Sequence, residues 1–256
     1  MKIEHKGFTV ARDGLKMHGD MFKPEGNGPF PVVIVSHEFM MNRITTWHLA
    51  LNYAKLGYAA FCYDFNGGGT ISQSQGKTTK MTVVTEVADL LAVIDYVESL
   101  PFTDNDNLNL HGCSQGGCVS ALVAAQIPEK IKKLVLYYPA LSIPDDARDG
   151  QMIMAKFDPQ NVPKILTCGP IILGAKYVTD VLDWDIYEKI DGYNGKVLLI
   201  HGTADHIVAY DYSVKANETY KAAGADINFV TIKGGEHLLP LQRGKAWKEA
   251  KKFMAL

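Results

Sequence analysis

Short apolar runs rich in β-branched residues alternate along the chain with longer stretches in which apolar residues recur every three or four positions. The clearest of these stretches predicts a helix from Thr82 to Leu100, with Pro101 directly after it. Strands that alternate with crossover helices are typical of an α/β fold with a mostly parallel central sheet. The short runs predict buried strands at Pro31–Val35, Tyr58–Tyr63, Asn107–Leu110, Lys133–Tyr138, Val197–Ile200 and Ile227–Ile232.

Two further strands are predicted ahead of these. The segments Ile3–Val10 and Leu15–Phe22 surround the dipeptide Asp13-Gly14, which favours a hairpin turn. We expect the two segments to pair antiparallel at one edge of the sheet. The prediction is therefore a sheet of about eight strands flanked by helices, and a chain of 256 residues is long enough to build it as a single domain over residues 1–256.

The alternation stops between residues 141 and 194. This stretch has aspartates near its start and then scattered apolar side chains that follow neither the strand period nor the helix period. A structureless connection of this length would be unusual in a compact domain. We therefore predict an insertion that packs as a lid on the carboxyl end of the sheet, where ligands of open α/β sheets bind.

Charge and composition exclude several classes of protein. Lysine and arginine total 26 against 28 aspartates and glutamates, so the net charge is -2, whereas nucleic-acid-binding proteins usually carry a basic excess on one face. No apolar run approaches the ~18 residues of a membrane span, no signal peptide is visible, and the four cysteines lack metal-ligand spacing. We expect a cytoplasmic protein that acts on a small molecule without a cofactor, metal, nucleic acid or membrane partner. The sequence is compatible with a homodimer.

A G-x-S-x-G motif occupies residues 112–116, directly after a predicted strand and before the run of small apolar residues Cys118–Ile127. In such a strand-to-helix turn the glycines allow close backbone contact, and the serine is exposed at the top of the sheet. Ser114 is therefore the predicted nucleophile. The N–H of Gln115, at a helix N-terminus, is the predicted first donor to an oxyanion, and the N–H of Phe39, in the loop after the strand Pro31–Val35, is the second.

A serine hydroxyl also needs a base within hydrogen-bond reach and an acid that orients the base. On a scaffold of this kind the chain order is serine, acid, histidine. Asp205 and His237 follow the last two predicted strands, which makes them the predicted acid and base. His206 is the main rival for the base, but adjacent residues in a turn rarely converge on one point, so we prefer His237.

Several motifs together resemble the α/β-hydrolase superfamily and, more narrowly, bacterial cinnamoyl or feruloyl esterases. The resemblance covers nearly the whole chain. The motifs that carry it are Asp64-Phe65-Asn66-Gly67, Met81-Thr82-Val83, Ser114-Gln115-Gly116-Gly117, Pro139-Ala140, Asp185-Ile186-Tyr187-Glu188 and His201-Gly202-Thr203.

The resemblance implies a serine carboxylesterase that hydrolyses small esters of hydroxycinnamic acids, of the ferulic, caffeic or p-coumaric type, through an acyl-enzyme. In that family the insertion roofs the active site and contacts the aromatic acyl group. By implication, one of Asp145 or Asp146 would meet the phenolic ring here. The apolar insertion residues expected around the ring are Met152, Ile153, Phe157 and Ile172.

Other functions stay open at this point. The pair His37-Glu38, where hydrolases of this superfamily usually have His-Gly, suggests an enzyme similar to dienelactone hydrolases, although those usually carry cysteine at the position of Ser114. An esterase or thioesterase acting on short acyl groups, or a small peptidase, could use the same residues. The alternative of another class is a catalytically silent hydrolase fold that only binds a ligand.

Overall fold

The protein folds around one eight-stranded sheet in a computed structural model that describes residues 1–255. The strands are β1 (Ile3–Arg12), β2 (Leu15–Pro24), β3 (Phe30–Ser36), β4 (Ala59–Tyr63), β5 (Thr103–Cys113), β6 (Ile131–Tyr137), β7 (Gln151–Met152), β8 (Ala155–Lys156), β9 (Ile165–Cys168), β10 (Ile171–Gly174), β11 (Lys196–Gly202) and β12 (Asp226–Ile232). The helices are α1 (Arg43–Ala54), α2 (Val83–Glu98), α3 (Gln115–Gln126), α4 (Ile143–Arg148), α5 (Lys176–Thr179), α6 (Ile186–Ile190), α7 (Tyr210–Ala222) and α8 (Arg243–Phe253).

The main sheet has the strand order β1-β2-β4-β3-β5-β6-β11-β12. Strand β2 runs antiparallel to both β1 and β4, and every other neighbouring pair is parallel. The predicted mostly parallel sheet of about eight strands, with an antiparallel hairpin at one edge, is confirmed. Because β3, β5, β11 and β12 are parallel, the loops that follow them meet at one edge of the sheet.

Both faces of the sheet are covered, which explains why its strands are continuous apolar runs. Along β3, Val32 and Ile34 join the core beneath α2 and α3, whereas Val33 and Val35 join the core beneath α1 and α8. Successive side chains of a strand point to opposite faces, so a strand between two layers must be apolar at every position.

Local hydrogen bonds account for where helix α2 begins. The Thr82 hydroxyl accepts the Thr85 N–H at 3.2 Å, and the Thr85 hydroxyl accepts the Thr82 N–H at 2.9 Å, which closes a reciprocal cap at the start of α2. Strand β5 extends three residues beyond the predicted Leu110, to Cys113. The serine of the G-x-S-x-G motif therefore follows the strand directly.

Residues 141–194 contain α4, α5, α6 and two short hairpins, β7–β8 and β9–β10. The stretch is thus not a structureless loop, and its function as a lid stays a prediction. None of the helices within residues 1–255 is long and apolar enough to cross a membrane.

Candidate active site

Ser114 lies in a strained turn between β5 and α3. Its φ of 51° and ψ of −116° fall outside the common regions for a non-glycine residue. The turn is held by the Ser114 N–H, which donates to the Tyr137 carbonyl at 2.9 Å. A Cβ atom at Gly112 would lie 2.2 Å from the Gly116 carbonyl oxygen, so the turn can close only because the motif has glycine there.

Replacing Gly116 with alanine should disturb this turn. The added methyl group would lie 2.5 Å from the carbonyl oxygens of Ser36 and His37, which are backbone atoms at the start of the loop that carries Phe39. We expect the free energy of unfolding to fall by about 1–3 kcal/mol, together with a loss of activity. Urea unfolding and kcat for an activated ester measure the two effects.

The control for that substitution is Gly244→Ala. Gly244 lies on α8 with open space around the position of a Cβ atom. Alanine is the better helix former, so the control should unfold at the same urea concentration as the parent or a higher one. A Gly116→Ala protein as stable and as active as the parent would contradict the account of the turn.

The structure brings Ser114, His237 and Asp205 together. The Nε2 atom of His237 lies 3.0 Å from Ser114 Oγ, and its Nδ1 atom lies 2.6 Å from Asp205 Oδ2. The three side chains come from the loops after β5, β11 and β12, which meet at the carboxyl edge of the sheet. This order of contacts allows His237 to take the serine proton while Asp205 holds the imidazole ring.

Asp205 is fixed by more than one partner. Its Oδ1 atom accepts the N–H groups of Ile207 and Val208, both at 2.9 Å, and its Oδ2 atom lies 3.0 Å from His201 Nε2. Burial alone would raise the pKa of Asp205, but hydrogen bonds from His201 and His237 outweigh it and hold the pKa well below its usual range. The aspartate therefore stays ionised beside His237.

The predicted oxyanion donors face the same cavity as the nucleophile. Phe39, Ser114 and Gln115 all line it. Among the hydrogen bonds of residues 1–255, the backbone N–H groups of Phe39 and Gln115 have no acceptor. Unpaired N–H groups beside a nucleophile, one of them at a helix N-terminus, suit a developing negative charge.

Glu38 stands where the usual His-Gly pair has glycine. Its side chain links the loop that carries Phe39 to neighbouring residues by hydrogen bonds. Its carboxylate accepts the Tyr138 hydroxyl at 3.2 Å and the Thr45 hydroxyl at 3.3 Å. The Tyr138 ring in turn packs edge-on against His237, with ring centroids 4.9 Å apart. The loop that holds Phe39 is thus connected through Tyr138 to the histidine.

A buried network behind Gln115 was not predicted from the sequence. The Gln115 side chain donates to Glu86 Oε2 at 2.6 Å and accepts a hydrogen bond from the Tyr177 hydroxyl. Burial raises the pKa of Glu86 well above its usual range, and the negative charge of Asp89 adds to this effect against the hydrogen bond from Gln115. The network fixes the residue that carries the first oxyanion donor. Nothing in the spacing of the three residues indicates it.

The cavity beside Ser114 has a volume of about 140 Å³. Three of the predicted substrate-binding residues, Asp146, Met152 and Ile153, line it, and so does Tyr177 from the stretch 141–194. The rival base His206 lies on the rim of the same cavity, and its exposed ring makes no hydrogen bond to the described residues. We name this space the acyl cavity.

Three other predicted substrate-binding residues, Asp145, Phe157 and Ile172, do not line the acyl cavity. Asp145 points away and bonds to Arg148 and to the Tyr212 hydroxyl, at 2.9 Å for the latter. Phe157 packs at the edge of the core, and Ile172 is 46% exposed. Asp145 lies on α4, whereas the positions of Phe157 and Ile172 follow from the two hairpins of the stretch, whose turns have no strong sequence signal.

No group of histidine, cysteine, aspartate and glutamate side chains in residues 1–255 is arranged to hold a metal ion. The four cysteines are buried free thiols.

Comparison with known proteins agrees with this geometry. Residues 45–255 match the prolyl oligopeptidase family (Peptidase_S9). Est1E from Butyrivibrio proteoclasticus, solved with ferulic acid bound, is 30% identical and superposes with a TM-score of 0.84, covering 97% of this chain and 100% of that one. The predicted α/β-hydrolase fold and the resemblance to esterases of that fold are confirmed.

Two further matches have lower sequence identity to this chain. The esterase Pf2001 from Pyrococcus furiosus is 18% identical, with a TM-score of 0.74 over 98% of this chain and 92% of that one, and it shares the fold. An uncharacterized 31.7 kDa protein from the traX-finO intergenic region of Escherichia coli is 28% identical over 113 residues, which are 44% of this chain and 38% of that protein. The match thus spans well under half the length of that relative.

Proposed function

The chain belongs to the prolyl oligopeptidase family of α/β hydrolases, and from that premise we propose that it is a serine carboxylesterase acting on small esters of hydroxycinnamic acids. The observation that carries the proposal is the hydrogen-bonded path from Asp205 through His237 to Ser114, which ends at the acyl cavity. The likeness to Est1E, whose structure holds ferulic acid, supports the aromatic acyl group.

Acylation begins when Ser114 Oγ attacks the ester carbonyl and His237 Nε2 takes the hydroxyl proton. The negative charge of Asp205 stabilises the imidazolium that forms. The carbonyl oxygen becomes an oxyanion, which the N–H groups of Phe39 and Gln115 bind. The imidazolium then gives its proton to the leaving alcohol, and the acyl group stays on Ser114.

Deacylation repeats these steps with water as the nucleophile. His237 takes a proton from a water molecule, which attacks the acyl carbon of the ester on Ser114. The same two N–H groups bind the second oxyanion. The proton returns from His237 to Ser114 Oγ as the carboxylic acid leaves, and the enzyme is regenerated.

Asp146 is the group in the acyl cavity that suits a phenolic hydroxyl. Its Oδ2 atom accepts the Ser142 hydroxyl at 2.8 Å, and its Oδ1 atom has no donor among residues 1–255. Burial and the neighbouring negative charges of Asp145 and Asp149 raise the pKa of Asp146 to about 6, against the opposing effect of Ser142. We assign Asp146 as the acceptor for the phenolic hydroxyl.

This assignment predicts a pH-dependent preference. Methyl ferulate has a phenolic hydroxyl that methyl 3,4-dimethoxycinnamate lacks, and only the ionised carboxylate is a pure acceptor for it. The ratio of kcat/KM for the two esters should therefore rise about tenfold as pH increases through about 6. Parallel assays from pH 5 to pH 8 measure it.

Two variants check the source of that preference. Asp146→Asn should make the ratio independent of pH. Asp145→Asn removes the same charge from a residue outside the acyl cavity, so the preference should persist, with its midpoint at lower pH because the repulsion that raises the pKa of Asp146 is reduced. A ratio that stays flat in the parent would contradict the role of Asp146.

The proposed function is tested by kcat/KM for methyl ferulate against p-nitrophenyl acetate and butyrate, with Ser114→Ala as the blank. A preference for methyl ferulate supports the aromatic acyl group. Activity on the short acyl esters alone would retain the serine mechanism and reject the hydroxycinnamate assignment. The family name favours peptidase activity as the second candidate, and cleavage of a peptidyl p-nitroanilide in place of these esters would establish it.

A further inference from the structure

A second and larger cavity lies on the other side of the nucleophile turn, between α1 and α8. Its volume is about 630 Å³, which is within the range of small-molecule sites. Consecutive residues line the two cavities. Cys113 and Glu38 line the larger one, whereas Ser114 and Phe39 line the acyl cavity. The two cavities therefore lie next to each other, at the turn that holds the nucleophile and at the loop that holds an oxyanion donor. We name the larger one the α1–α8 cavity.

The α1–α8 cavity is on the side of the catalytic histidine. Leu238 and Leu239, which follow His237 directly, line it, as does Tyr138, whose ring packs against the His237 ring. His237 gives its proton to the leaving oxygen, so the alcohol portion of an ester must pass on the histidine side. The alcohol portion of an ester bound at Ser114 would therefore lie on the side of His237, where Tyr138, Leu238 and Leu239 line this cavity.

Two polar groups of the cavity lack partners. The Tyr137 hydroxyl is buried without a hydrogen bond to residues 1–255, although buried polar groups are normally paired. Arg243, which is exposed to solvent, lines the cavity and pairs with no carboxylate of the described chain, whereas the other three arginines all do. The carboxylate of Glu38 is also at this cavity, but its oxygens accept two hydroxyl groups.

The remaining wall is largely apolar. Its apolar side chains include Met41, Leu49, Leu239, Ala246 and Trp247, together with the ring of Tyr138. The polar side chains of Thr45, Thr46, His48 and Asn52 line the cavity as well. A ring buried against these side chains gains apolar contact, and the unpaired guanidinium favours an anion at its edge. The combination fits a bulky, mostly apolar molecule that carries a carboxylate.

We propose that the α1–α8 cavity binds the alcohol portion of the ester, and that this alcohol is bulky and carries a carboxylate. Arg243 pairs with the carboxylate, and the Tyr137 hydroxyl donates to a polar atom of the alcohol. The inference rests on the proposed esterase function and deepens it by naming the class of leaving group.

The test uses three esters with one acyl group: methyl, benzyl and 4-carboxybenzyl ferulate. Each kcat/KM value is divided by the rate constant for hydroxide-catalysed hydrolysis of the same ester, which removes differences in intrinsic reactivity. Burial of the phenyl ring should raise the corrected value about tenfold over the methyl ester. The carboxylate should raise it about fivefold more at low ionic strength.

Variants assign these gains to the cavity. Arg243→Gln should bring the ratio of carboxybenzyl to benzyl ester close to one, whereas Lys245→Gln, the same charge change at an exposed position of α8 outside the cavity, should keep it. Gly244→Phe should lower the ratio of benzyl to methyl ester, because Gly244 lines the cavity and has open space for a side chain.

Equal corrected values for the three esters would overturn the inference, as would a carboxylate preference that survives Arg243→Gln. In both cases hydrolysis of methyl ferulate would leave the proposed function standing. Failure of that function is a different result, namely no turnover of methyl ferulate above the Ser114→Ala blank.

Discussion

Ser114→Ala should lower kcat by about 10⁴–10⁶-fold while the protein stays folded, because the members of a serine, histidine and acid relay act as a unit. Within residues 1–255 the hydroxyl of Ser114 makes one hydrogen bond, to His237, so its removal should leave the surrounding structure intact. What remains of the rate comes from the oxyanion donors and from binding. The measurement is kcat for p-nitrophenyl butyrate, with labelling by a fluorophosphonate probe as a direct report on the nucleophile.

A serine on the helix that follows provides the matched control. Ser120 lies on α3, is fully buried, and its hydroxyl has no hydrogen-bond partner within the described residues. Ser120→Ala therefore makes the same chemical change without breaking a hydrogen bond, so the free energy of unfolding should stay the same or rise. The control should keep its activity and its labelling. A Ser114→Ala protein that retains a tenth of the parent kcat would reject Ser114 as the nucleophile.

Much of the frame around this serine could be predicted because local patterns determine it. Strands buried on both faces are apolar at every position, which is why the run at Val32–Val35 stands out from its neighbours. The G-x-S-x-G motif has a steric cause, since a Cβ atom at Gly112 or Gly116 would collide with backbone. Loops after parallel strands meet at one edge, so chain order alone indicated that Asp205 and His237 lie near Ser114.

The features of the site that the sequence did not predict depend on contacts between distant parts of the chain. Gln115, Glu86 and Tyr177 form one buried network although 62 positions separate Gln115 from Tyr177. The same limit applies to residues 141–194, where Asp146 reaches the acyl cavity and its neighbour Asp145 instead bonds to Tyr212. Adjacent aspartates in a six-residue helix point in different directions, and the composition of the segment does not distinguish them.

The choice of His237 over His206 has a structural reason in the turn after Asp205. The N–H groups of Ile207 and Val208 both donate to Asp205 Oδ1, which folds the chain back over the carboxylate. His206, between Asp205 and Ile207, is left on the rim of the acyl cavity, while Oδ2 contacts His237 as well as His201. Adjacency in sequence thus prevents His206 from donating to Asp205 the hydrogen bond that would orient a base.

His237→Ala should therefore reduce kcat about as strongly as Ser114→Ala, by about 10⁴–10⁶-fold, because no other ring nitrogen contacts the serine hydroxyl in residues 1–255. His206→Ala should lower kcat by less than about 10²-fold, which is the smallest effect expected when a proton-transfer group is lost. It should act mainly on KM, since the ring borders the acyl cavity. Steady-state kinetics of both variants with methyl ferulate separate the two roles. A large fall in kcat for His206→Ala with a small one for His237→Ala would reverse the assignment, and it would require Asp205 to orient a ring that its own backbone turn directs away.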